Sequence, residues 1–140
     1  MRRLTILLFI CLSIGCSTTK KTNAKSNFLN GTWVPINEEM GGTLFPKAAF
    51  EKQRLILSDS NYTLIAESID KGVVKYRDNK MDIYGKDGVN AGKHFTAIYK
   101  LENEQLTVCY NLAGNNYPEA FDTKGKPMYF LAVFKKELKK

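Results

Sequence analysis

From Gly31 to Phe134 the chain repeats one pattern: a short run alternating apolar with polar residues, then a cluster of turn formers. Alternation at period two marks a strand with one buried face, and turns at this spacing leave little room for helices. Phe95, Ala97, Tyr99 and Leu101 share one face, and Leu106, Val108 and Tyr110 alternate with Thr107 and Cys109. Ser58-Asp59-Ser60-Asn61, Asp78-Asn79 and Glu102-Asn103-Glu104 supply the turns, since Asn and Asp tolerate the tight backbone that hairpins need. Strands are expected over residues 32–36, 54–57, 62–67, 73–77, through Met81 and Ile83, 94–101, 105–110 and 128–134. Eight antiparallel strands predict an all-β, up-and-down barrel, its interior either filled by side chains or holding one small ligand.

The segments between strands carry their own expectations. Pro35 places the first strand near an edge or rim. Residues 37–45, with Gly41-Gly42, read as a loop. Residues 46–53 open on Pro46 and read as one short helix of two turns, a lid or plug for one barrel end. Residues 85–93, with Gly85, Gly88 and Gly92, and the Gly/Asn-rich residues 111–127 are the longer loops.

Ahead of the alternation the chain changes character. Met1-Arg2-Arg3 is a positive start, and residues 4–14 form an apolar run of signal-peptide length, too short to span a bilayer as a mature helix. It ends in Leu12-Ser13-Ile14-Gly15-Cys16, which resembles the lipobox at which bacterial lipoproteins are cleaved and acylated on cysteine. Small Gly15 suits that cleavage, whereas Ser13 stands where leucine is most usual. The other reading is an ordinary secretory signal with Cys16 incidental. Residues 17–27 hold no apolar side chain larger than alanine, so a flexible tether is expected there. The division is a signal peptide at 1–15, an acylated cysteine and tether at 16–27, a barrel domain at 28–136 and a basic tail at 137–140. The resemblance implies a lipid-anchored protein of the bacterial cell envelope, with the outer membrane the expected site.

Charge and cysteine count narrow the function classes. The formal charge is +7, and loss of Arg2 and Arg3 with a leader leaves 19 basic residues against 14 acidic. The lysines are scattered, with no basic stripe of the kind nucleic-acid binders carry, so no nucleic-acid partner is expected. Cys11 falls in the leader, Cys16 at the anchor, and Cys109 is left without a disulfide partner, as a small buried hydrophobe.

At Leu29-Asn30-Gly31-Thr32-Trp33 the sequence resembles the lipocalins, whose first strand opens on Gly-x-Trp. A closer resemblance is to a bacterial lipocalin-like domain family of uncharacterised function. It runs in order through Gly41-Gly42, Arg54-Leu55-Ile56-Leu57, Tyr62-Thr63-Leu64, Ala97-Ile98-Tyr99-Lys100-Leu101, Leu106-Thr107-Val108-Cys109, Pro118 and Phe121. The resemblance implies a barrel closed at one end by Gly31 and Trp33, with a cation from the last strand, Lys135 or Lys136, over the indole. It implies binding and no reaction.

No catalytic or cofactor motif is visible. His94 is the single histidine and lacks zinc-ligand spacing, and no nucleophile elbow, P-loop or dinucleotide fingerprint occurs. Asp82, Asp87 and Asp122 read as solvated surface. No enzyme, cofactor or metal site is expected. The candidate ligand-lining residues are Tyr62, Tyr76, Tyr99, Tyr110 and Phe130, on different strands at inward positions. Two functions follow: a binding module for a small apolar or amphipathic ligand, or a protein-interaction module with a filled barrel. The second would be an immunity protein or inhibitor of an envelope enzyme, acting through residues 111–127 and an aromatic patch at Tyr110, Tyr117 and Phe121. The last strand is apolar on both faces, and one of them, Tyr129, Leu131 and Val133, is expected to pack on the helix or on a partner chain.

Overall fold

The structure, a computed structural model, describes residues 28–138. The expected leader at 1–15, the lipidation site Cys16, the tether to residue 27 and the final Lys139-Lys140 lie outside the described residues.

The strands are β1 (Gly31–Met40), β2 (Thr43–Leu44), β3 (Arg54–Ser58), β4 (Asn61–Ile65) and β5 (Ile69–Arg77). They continue as β6 (Lys80–Asp87), β7 (His94–Glu102), β8 (Gln105–Asn111) and β9 (Tyr129–Lys136). Leaving aside β2, which extends the tip of β1, each strand pairs antiparallel with the next. β1 then pairs with β9 from Trp33–Lys136 to Met40–Phe130, which closes the ring. The result is an eight-stranded up-and-down barrel.

Turn chemistry explains the hairpins. Asp78-Asn79 joins β5 to β6 with Asp78 at φ 54°, and Asn103-Glu104 joins β7 to β8 with both residues at positive φ. Primed turns of this kind match the right-handed twist of the flanking strands. These turns, the β3–β4 turn and both ends of the described chain gather at one end of the barrel. The connections β1–β3, β4–β5, β6–β7 and β8–β9 gather at the other.

Four elements depart from the sequence expectation. β5 begins at Ile69 rather than at residue 73, and β6 runs through Gly85 to Asp87 where the sequence predicts a loop. The reason is that these two ends pair with each other across a register shift at Lys71/Gly72. The other two lie ahead of β3. The two-turn helix over 46–53 is a single 3₁₀ turn, Lys47–Ala49, because Phe50 leaves helical geometry at φ −131° and buries its ring. The first strand does not stop at residue 36, nor is 37–40 a loop. Pro35 pairs with Phe134 and Asn37 with Val133, which leaves Ile36 as the extra residue of a β-bulge. Burial runs Trp33, Pro35, then Glu38, so the bulge shifts the inward phase from odd to even positions. It also lets a proline, which cannot donate to the ladder, sit in a paired strand.

The barrel interior is one cluster that includes Leu29, Trp33, Leu55, Val74, Ala97 and Val108. A second cluster lies on the opposite face of β7, β8 and β9, where Ile98, Cys109 and Leu131 are covered by Tyr117 and Phe121 of the β8–β9 connection. That connection folds back because buried polar residues hold it. Asn111 Nδ2 donates to Asn116 O (2.9 Å) and Asn115 Oδ1 (2.8 Å), Thr96 Oγ1 to Asn116 O (2.6 Å), and buried Thr123 bonds Glu39 and the Gly42 amide. The outer face of β9 therefore packs on the chain's own loop, in place of the helix or partner chain expected.

Candidate functional site

The closed end is built around Trp33. Its ring is buried, its Nε1–H donates to Leu29 O at 2.8 Å, and Lys136 Nζ stands 5.4 Å from the ring centroid. Gly31 sits at φ 139°, a backbone conformation that side chains rarely adopt, and the flexible Lys136 stem crosses β1 there, with Cε 2.7 Å from where a Cβ would lie. Tyr76 and Tyr99 pack edge-to-face near this end, with ring centroids 6.0 Å apart. The Tyr99 hydroxyl donates to Asp78 O at 2.8 Å, which ties it to the β5–β6 turn.

Above this floor lies a cavity of about 530 Å³, within the range of small-molecule sites. Leu55, Leu57, Val74, Met81, Ile83 and Val108 form its aliphatic wall, and Tyr62, Phe95, Tyr110 and Phe130 its aromatic one. Tyr62, Tyr110 and Phe130 of the sequence candidates thus line it, whereas Tyr76 and Tyr99 do not. Tyr62 leans over Gly72, its partner across β4–β5, where a Cβ would sit 2.5 Å from the ring. The wall reaches solvent at Lys93 and Met128, and Gln53, Asn90 and Leu112 complete it at the same end. This end, opposite both described chain ends, is the mouth. Buried Asp70 pins its rim, with Oδ1 accepting from the Asn90 amide at 2.9 Å.

One wall residue escaped the sequence reading. Glu38 is 3% exposed and lines the cavity, yet no hydrogen bond or ion pair to its carboxyl is found among the described residues. Burial pushes its pKa up to about 7. Burial, together with the Glu38 charge, also raises Tyr110 well above the usual phenol range. Burial lifts Tyr76 to about 12, and its hydroxyl is buried without a partner. The signal that could have found Glu38 was Pro35, whose missing donor favours a bulge and hence a phase change.

A polar cluster sits on the outer face of β6 and β7. His94 Nε2 lies 3.0 Å from Asp82 Oδ1, and the Tyr117 hydroxyl donates to Asp82 Oδ2 at 2.5 Å. Partial burial works to raise the Asp82 pKa, but the Tyr117 and His94 hydrogen bonds outweigh it and the net shift is downward. Asp82, which reads from the sequence as solvated surface, is thus bonded to His94. Asp122 is exposed and pairs with Lys126 Nζ at 3.1 Å. Cys109 is fully buried, and burial raises its thiol pKa, which is unsuited to nucleophilic chemistry. Among the described residues no three His, Cys, Asp or Glu side chains gather in a metal-holding group, and no helix is long and apolar enough to cross a membrane.

No protein-family model matches the chain, and neither a curated protein nor a solved structure does.

Proposed function

We propose that this protein is a binding module that takes one small apolar or amphipathic molecule into its barrel. The observation that carries the reading is the 530 Å³ cavity with its mainly aliphatic and aromatic wall. Burial of apolar surface supplies the affinity, at about 25 cal/mol per Å² before the costs of association. Leu29-Asn30-Gly31-Thr32-Trp33 and the strand order support placing it among lipocalin-like proteins. Lipidation of Cys16 would hold it at a bacterial envelope membrane. Because Phe28 to Gly31 lie at the closed end, the tether would join the barrel at the end opposite the mouth.

The alternative, a protein-interaction module, rests on a filled barrel and an exposed aromatic patch. The cavity favours the first reading, as does the placement of Tyr110 in its wall and of Tyr117 and Phe121 against the second cluster. Native mass spectrometry of the full chain, extracted gently from its host envelope, tests the choice. A co-purifying small molecule lost on denaturation is the expected result. A bare mass, with a protein partner captured through residues 111–127, would overturn it.

A further inference from the structure

We infer that the lumen selects an apolar molecule bearing a protonated amine, whose ammonium pairs with the Glu38 carboxylate. This rests on the lumen being the binding site. The bulge at Ile36 turns Glu38 into the barrel and sends Glu39 to Thr123 on the outside. With an unbroken ladder, Glu38 would share the outward phase of Val34 and Ile36. Bulges occur where a side chain has to be re-aimed, and here the one re-aimed is an acid entering an apolar wall.

The surroundings of that acid then specify the ligand. An isolated carboxylate in an apolar cavity is costly unless it meets a charge or a donor. The described residues offer it neither: the cation of the cavity wall, Lys93, is exposed at the mouth and donates to Asn90 Oδ1 at 3.2 Å. The other buried acid at this end, Asp70, has its donor in the Asn90 amide, so an unpartnered carboxyl is not a general feature of the rim. A ligand ammonium supplies both charge and donors to Glu38. Above about pH 7, where Glu38 is ionised, a ligand carboxylate would meet like charge there, and an alcohol would leave the charge unbalanced. The aliphatic and aromatic wall takes the rest of the molecule.

The test is competition within one chain-length series. The full chain, in nonionic micelles at pH 8, is incubated with equal amounts of dodecylamine, dodecanol and dodecanoate, and native mass spectrometry counts the 1:1 adducts. We expect the amine adduct to exceed each of the others by about tenfold or more, the scale of a charge-assisted contact. In Glu38→Gln, which keeps size and polarity, that preference should fall to within about threefold while the dodecanol adduct persists. A dominant dodecanoate adduct, or an amine preference unchanged by Glu38→Gln, overturns the inference and leaves the lumen reading standing. Absence of any adduct overturns both.

Discussion

At the scale of single residues, Glu38 is where fold and function pull in opposite directions. Its pKa is about 7 in the barrel against 4.5 as the ordinary value. Between those values the folded chain holds more protons than the unfolded one, so stability falls as pH rises. Its stabilising share is complete below about pH 4.5 and lost once pH passes about 7, a difference of at most roughly 3 kcal/mol. Urea titrations of the ligand-free protein at pH 5 and pH 8 should show that fall in the wild type and a flatter profile in Glu38→Gln. Equal pH slopes in the two proteins would contradict the burial assigned to Glu38. Tyr62 and Tyr110 share the cavity wall with it, and burial raises both phenols further above this window. Trp33 is the opposite case, a residue serving the fold alone. Trp33→Ala should cost about 3–5 kcal/mol by chemical denaturation, whereas Lys136→Ala should cost only about 0.5–2. Gly72→Ala drives a methyl into the Tyr62 ring and the Tyr84 carbonyl, and should cost about 1–3 kcal/mol.

At the scale of elements, what was legible in the sequence depended on how local the cause was. The Asp78-Asn79 and Asn103-Glu104 turns lie where the turn chemistry puts them, and β3, β7, β8 and β9 follow the alternation, whereas β5 begins ahead of it at Ile69 and β6 outlasts it to Asp87. The tail of β1 was not legible, because the Ile36 bulge breaks the period that strand recognition relies on. Phe50 escaped for a related reason: its burial outweighs the weak helical preference of residues 46–53. The β8–β9 connection reads as a solvated loop, yet it covers the outside of the barrel. Its anchors, Thr96, Asn111 and Thr123, are polar residues whose burial depends on partners distant in the chain. This covering is testable at Cys109, which is fully buried between Tyr117 and Phe121 of the connection and the barrel wall. Phe121→Ala should raise its labelling rate by a thiol reagent about tenfold or more, by exposing it through local opening. Mapping the label by peptide keeps Cys11 and Cys16 apart from it. An unchanged rate at Cys109 would mean that the connection does not protect that face.

At the scale of the whole molecule, whether eight strands enclose a filled core or a hollow one is a matter of summed side-chain volume. Both outcomes are open to a barrel of this size. Tyrosines on different strands suggested wall residues, but the split between Tyr62 and Tyr110 at the cavity and Tyr76 and Tyr99 near the closed end comes from register and turn contacts. Those are properties of the closed ring rather than of any one strand. The hollow lumen is thus the claim on which the functional account stands. Xenon enters apolar cavities without needing polar partners, so the direct measurement is a crystal of the ligand-free protein under xenon pressure. The account predicts xenon density among Leu57, Val74, Met81 and Val108, with Tyr110 and Phe130 still standing at the wall. Empty density there, with those two rings collapsed across the lumen, would contradict it.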